Sequence, residues 1–153
     1  MITAWRITAD EYASGAFKGD GARLYGGRWT SSGVAAVYVS SSAALAALEI
    51  LVHAKRRAVL RKYVLFACSF AEALVETVDR PSLRADWRGH PAPMSLKEIG
   101  DRWVNEGRSA VLQVPSAIID TESNYLLNPL HPDFAGIEIA DPTPFTLDVR
   151  LLR

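Results

Sequence analysis

The sequence predicts one α+β domain spanning residues 1–153. Three observations support this: the irregular order of strand-like and helix-like segments, the lack of any internal repeat, and a length suited to one core. At 153 residues the chain is long enough to bury about two-thirds of its unfolded surface in a single core. With 49% hydrophobic and 22% charged residues it has the composition of a globular protein rather than a disordered one. The predicted order is strand, loop, strand, helix, strand, strand, helix, strand, strand, which is not the repeating unit of a parallel sheet.

Ile2–Ile7 reads as a short strand, and Gly15–Gly33 as a long loop carrying Arg23, Tyr25, Arg28 and Trp29. Loops of that length inside compact domains are usually functional. The β-branched and aromatic run V-A-A-V-Y-V-S predicts a strand over Val34–Ser40. Ser40, Ser41 or Ser42 then caps an Ala- and Leu-rich helix reaching about Lys55. Tyr63–Phe70 and Leu74–Val78 are further strands. Met94–Glu106 is a helix, with Ser95 as its expected cap and Glu98 at the capping-box spacing. Ser109–Val114 is a strand ended by Pro115. The segment Asn124–Pro129 and the Pro-rich tail to Pro144 read as irregular, and Phe145–Leu152 as a last strand closing the sheet.

Charge is balanced, with 17 Lys and Arg against 17 Asp and Glu, so the whole-molecule field favours neither nucleic acid nor an anionic membrane. The densest basic run, Lys55-Arg56-Arg57 with Arg61-Lys62, falls at a predicted helix end, where cations complement the helix dipole. Cys68 is the sole cysteine, which rules out an intrachain disulfide and suits a reducing compartment. The N-terminus lacks the basic-then-apolar layout of a signal peptide, and no apolar run approaches the roughly 18 residues of a membrane span. A cytoplasmic location is expected.

Common chemical motifs are missing. Gly19-Asp20-Gly21 starts like a dinucleotide fingerprint, but Leu24 stands where its third glycine belongs. His53, His90 and His131 are widely separated, and with one cysteine they predict no metal site.

What stands out is a set of scattered polar residues. Glu49 is the only charge across more than two turns of the helix S-S-S-A-A-L-A-A-L-E-I-L-V-H. Two readings are open: Ser42, Ala46, Glu49, His53 and Arg56 form a narrow solvent stripe, or that stripe faces a cleft with His53 one turn from Glu49. In Gly26-Gly27-Arg28-Trp29 the paired glycines allow a tight bend that presents an Arg suited to phosphate and a Trp suited to stacking. Tyr38 either fills core space or stacks on a flat heterocycle. Val114-Pro115-Ser116 projects a hydroxyl at a strand end, or is an ordinary turn. Asn124 to Pro132 is a binding loop or simply turn chemistry.

The order and spacing of these residues resemble the RES domain family, named for an Arg, a Glu and a Ser, over nearly the whole chain. The matching residues are Arg28 in G-G-R-W, Glu49 in A-A-L-E-I-L-V-H and Ser116 in V-P-S, with V-Y-V-S-S-S and N-Y-L-L-N-P-L-H-P-D-F as further family-like blocks. The resemblance implies a fold similar to the ADP-ribosyltransferase core of diphtheria-type toxins, with Arg28, Tyr38 and Glu49 in place of that group's His-Tyr-Glu set. It implies a toxin partnered by an Xre-type helix-turn-helix antitoxin, forming a homodimer and consuming NAD as substrate without a prosthetic group. Under this resemblance Arg28, Tyr38, Glu49 and Ser116 are the catalytic set, and Arg28, Tyr38, His53 and Asn124 contact NAD. Hydrolysis, phosphorolysis and ADP-ribosylation of a target protein all remain open, as does a non-catalytic binding module.

Overall fold

The computed structural model describes residues 1–53 and 61–152. Lys55, Arg56 and Arg57, and with them the predicted helix end at about Lys55, lie outside the described residues. The strands are β1 (Ile2–Ala9), β2 (Val37–Ser40), β3 (Tyr63–Phe70), β4 (Val75–Thr77), β5 (Val111–Pro115), β6 (Ser123–Leu127), β7 (Glu138–Ile139) and β8 (Thr143–Phe145). The helices are α1 (Asp20–Tyr25), α2 (Ala43–His53) and α3 (Met94–Glu106). The α+β class follows, as the order of segments predicted.

All eight strands belong to one mixed sheet, ordered β4-β5-β6-β2-β1-β3-β7, with β8 also on the outer edge of β3. Among the described strands only β4 and β5 run parallel. Its pairing is uneven: β1 and β3 pair along eight positions from Ile2↔Phe70 to Ala9↔Tyr63, whereas β1 and β2 share the single pair Trp5↔Ser40. The sheet therefore parts into two leaves between β1 and β2.

Side-chain alternation along the strands explains the packing on each face. Val37, Val39, Val111, Tyr125 and Leu127 join Ala4, Cys68 and Phe70 in one core cluster. The intervening Leu112, Val114 and Leu126 pack with Trp29, Trp87 and the α3 residues Leu96 and Trp103 in a second. Helix α2 joins Ile7, Tyr63 and Leu147 through Ala46, with Ala47, Ile50 and Leu51 packed alongside. No helix among the described residues is long and apolar enough to cross a membrane.

Several predicted boundaries change. The Gly15–Gly33 loop contains the short helix α1, which opens after Gly19 at φ 77° and closes at Gly26 at φ 72°. Strand β2 starts at Val37, since Gly33 is left-handed and Val34 N–H donates to Ser31 O to complete a turn. The cap expected at Ser95 is not formed: extended Pro93 precedes the first residue of α3, so Ser95 falls inside the first turn, where its hydroxyl is buried without a partner among the described residues. Asn124–Leu127, read as irregular, belongs to the central strand β6. Tyr125, Leu126 and Leu127 are buried on both faces between β2 and β5, which hides the polar–apolar alternation of a half-exposed strand. The sheet closes through Thr143–Phe145 rather than Phe145–Leu152. Pro144 is tolerated there because β8 is an edge strand, and Val149–Leu152 forms a 3-10 turn.

Candidate functional site

A cleft of about 840 Å³ opens where β1 and β2 part, and Arg6, Tyr38, Glu49, His53 and Asn124 line it, with Arg28 on its loop side. Three residues of the α2 stripe, Ala46, Glu49 and His53, lie on the cleft wall, while Ser42 stands at the start of the helix and Arg56 lies outside the described residues.

Glu49 is positioned from the neighbouring leaf. Its Oε1 accepts a hydrogen bond from Asn124 Nδ2 at 2.9 Å, and Asn124 Oδ1 accepts from Ser40 Oγ at 2.8 Å. Oε2 has no hydrogen-bond partner among the described residues. Ser42 is the serine that caps α2, its hydroxyl accepting from Leu45 N–H at 3.0 Å.

Arg6, which sequence reasoning passed over, sits at the parting of the leaves. Its Nη1 donates to Tyr38 O at 2.9 Å, at the point where ladder pairing between β1 and β2 has stopped. Its Nε is buried without a partner among the described residues. Burial pushes its pKa down to about 10, a penalty on a charge held out of water. A signal was available, because Arg6 interrupts an otherwise uncharged strand I-T-A-W-R-I-T just as Glu49 interrupts its helix.

The G-G-R-W segment is tightly built, and for local reasons. At Gly27 a β-carbon would sit 2.5 Å from the Tyr38 hydroxyl, so only glycine fits. Trp29 N–H donates to that hydroxyl at 3.2 Å, and Thr30 Oγ1 lies 2.7 Å from it. Burial raises the Tyr38 phenol to about 12, so it stays protonated and neutral. Tyr38 therefore presents its ring to the cleft while its hydroxyl is spent on the loop. Trp29, read as a stacking group, is buried in the core beside Trp103. Arg28 Nη1 donates to Trp87 O at 3.2 Å and to Gly89 O at 2.8 Å, which ties the 87–89 segment to the loop. Lys97 and Asp101 on α3 hold the other side, Lys97 Nζ donating to Gly27 O and Asp101 Oδ1 accepting from Ser31 N–H at 2.8 Å. Nothing in the spacing of Lys97 or Asp101 distinguished them from surface residues.

Ser116 is placed differently from the others. It is fully buried, and its hydroxyl accepts from Ile118 N–H at 3.1 Å and Ile119 N–H at 3.0 Å. Its neighbours Pro115, Ala117 and Ile118 line the cleft, so Ser116 shapes the turn that forms this wall.

Comparison with known proteins agrees with this architecture. The chain is 36% identical over 148 residues to "Toxin Res" of Yersinia enterocolitica, covering 96% of this chain and 97% of the relative. It is 37% identical over 154 residues to the "Prs ADP-ribosylating toxin" of a Sphingobium species, covering 97% and 96%. The fold is similar to the crystal structure of the Mycobacterium tuberculosis MbcT–MbcA toxin–antitoxin complex, with a TM-score of 0.73 at 18% identity over 94% of this chain and 84% of that one. The RES domain profile matches residues 3–148, and the chain belongs to the RES domain family.

Proposed function

We propose that this chain is the toxin of a toxin–antitoxin pair and that it cleaves NAD at the nicotinamide–ribose bond, by hydrolysis or phosphorolysis. The observation that carries the reading is Glu49, a carboxylate on the cleft wall with one oxygen fixed by Asn124 and the other without a partner among the described residues.

In the proposed reaction the C1–N bond of the nicotinamide ribose breaks, and its electron pair leaves with nicotinamide. The ribose becomes an oxocarbenium ion, which the Glu49 carboxylate stabilises while it holds a ribose hydroxyl. Water attacking C1 and losing a proton gives ADP-ribose; phosphate attacking there gives its 1-phosphate ester. Arg6 and Arg28 supply the positive charge that receives the diphosphate. Arg6 does so with N–H groups already out of water, and Arg28 with the edge of its guanidinium not engaged by Trp87 and Gly89. The Tyr38 ring stacks on nicotinamide, His53 and Asn124 border the ribose, and Ser116 acts through the turn it fixes. NAD is a substrate here, and no prosthetic group is invoked.

Protein ADP-ribosylation is the second reading, favoured by the 37% identical Sphingobium relative that bears that description. An Xre-type antitoxin is the proposed partner, supported by a fold neighbour that was solved bound to its antitoxin. A homodimer is proposed on family resemblance.

The test is free nicotinamide released from NAD by the purified protein, with water alone, with phosphate, and with cell lysate plus labelled NAD. Release that falls about 100- to 1,000-fold in Glu49→Gln supports the reading. Label appearing on protein instead of in free ADP-ribose or its phosphate selects the second reading. No release under any acceptor condition, as for a binding module, overturns both.

A further inference from the structure

We propose that Ser40 is the positioning residue for the cleft carboxylate, acting through Asn124. The inference rests on the catalytic reading of Glu49 given above and adds a residue that this reading does not require.

Hydrogen-bond polarity fixes the direction of the relay. An ionised carboxylate only accepts, so Asn124 must turn its amide nitrogen toward Glu49 Oε1 at 2.9 Å. Its amide oxygen then faces Ser40 at 2.8 Å, and since a carbonyl oxygen only accepts, the Ser40 hydroxyl must donate. If the amide flipped, oxygen would face oxygen at the Glu49 end. The terminal torsion of Asn has a broad, soft minimum. With the polarity of the amide set by the carboxylate, the Ser40 hydroxyl holds its far side and limits its swing about that torsion, which keeps the amide nitrogen on Glu49. Ser40 is itself held: it is 4% exposed and pairs across the β2–β6 ladder with Asn124.

The next two serines extend the same connection. Ser41 N–H donates to Ser123 O at 3.0 Å, and Ser123 N–H points back to Ser41 Oγ at 3.4 Å. Ser42 Oγ donates to Glu122 Oε1 at 2.8 Å while it caps α2. Serines 40, 41 and 42 thus meet residues 124, 123 and 122 in turn, fastening the start of the helix that carries Glu49 to the strand that carries Asn124. With its helix anchored and one oxygen gripped, Glu49 presents Oε2 to the cleft in one orientation.

The experiment compares Ser40→Ala, Asn124→Ala, the double variant and Glu49→Gln in nicotinamide release. It also follows the Asn124 side-chain amide by ¹⁵N NMR. Ser40→Ala is expected to lower kcat about tenfold, as loss of a supporting hydrogen bond does elsewhere. KM should stay within about twofold, because the contact matters more in the transition state than in the ground state. The double variant should match Asn124→Ala, since Ser40 acts only through that amide. In the wild type the two Asn124 amide protons should be shifted and slow to exchange, and Ser40→Ala should move them toward solvent-like values.

Unchanged kcat and unchanged amide resonances in Ser40→Ala overturn the relay, as do multiplicative effects in the double variant. If Glu49→Gln abolishes release while Ser40→Ala is silent in both readouts, the relay alone fails. If the wild type releases no nicotinamide but Ser40→Ala still frees the Asn124 amide, the catalytic reading fails and the relay stands as a structural device.

Discussion

The phenol oxygen of Tyr38 and the hydroxyl of Thr30 lie 2.7 Å apart, with Trp29 N–H donating to the same phenol at 3.2 Å. Tyr38 is thus a strut from the central sheet into the G-G-R-W loop. Thr30 is fully buried, so removing the phenol leaves polar groups unpaired out of water. Tyr38→Phe should therefore cost about 1–3 kcal/mol of stability. The cost should also depend on pH. The folded pKa, about 12, lies above the ordinary value of 10, so the proton-linked part of Tyr38's contribution is complete below pH 10 and lost as pH rises toward 12. Denaturant melts of both proteins across that range check this: the difference between them should shrink.

Arg6 carries the opposite sign. Its folded pKa, about 10, lies below that of a free guanidinium, so its charge costs stability at neutral pH and the cost is relieved only above pH 10. Arg6→Met is expected to raise the thermal midpoint, by about 2–4 °C for each kcal/mol of relieved desolvation, while it abolishes nicotinamide release. Paired calorimetry and activity measurements test this, and a lower midpoint would contradict it.

Arg28 ties down the 87–89 segment through two carbonyls, and the neighbouring Arg88 lies within this strap with its own bond to Ala117 O at 3.0 Å. Arg28→Ala should speed tryptic cleavage after Arg88 by about tenfold, since local opening becomes less costly. Peptide mass mapping of a timed digest reads this out directly.

A β-carbon on Gly100 would sit 1.8 Å from Trp29 O, a backbone atom with no room to yield. Gly100→Ala should destabilise by about 1–3 kcal/mol or more through overpacking of α3 against the loop. Gly21 is also helical, but a β-carbon there would meet nothing within 4 Å. Gly21→Ala should be neutral or stabilise by up to about 1 kcal/mol through the unfolded chain. Thermal melts of the two variants should move in opposite directions, or at least differ clearly.

Much of this was legible where a residue violated its local pattern. Glu49 is a charge in an apolar helix, and with Ala46 and His53 it does line the cleft. Arg6 sent the same kind of signal in a strand too short for one charge to look anomalous. The α3 bounds Met94 and Glu106 were legible although the Ser95 cap invoked for them is not formed; the helix stops at Gly107, which takes a left-handed conformation. Strand β6 was hidden because burial on both faces erases alternation. The bonds of Lys97 and Asp101 to the loop join residues 70 apart in sequence, and no local spacing encodes them; the turn built by Ser116 is local, and was one of the two readings open for V-P-S.

The parting of the sheet at Trp5↔Ser40 has a topological consequence. From β1 the chain crosses to the other leaf for β2, returns for β3, crosses again for β4, β5 and β6, and comes back for β7 and β8. Few hydrogen bonds join the leaves at the seam, yet the backbone is laced back and forth across it. Neither leaf is a contiguous stretch of sequence, so no truncation yields half of the sheet as an independent folding unit. The halves are therefore inseparable along the chain although sparsely bonded at the seam. A molecule bridging them serves as an added stitch, and at a concentration 100 times its Kd it would stabilise the whole chain by about 2.7 kcal/mol.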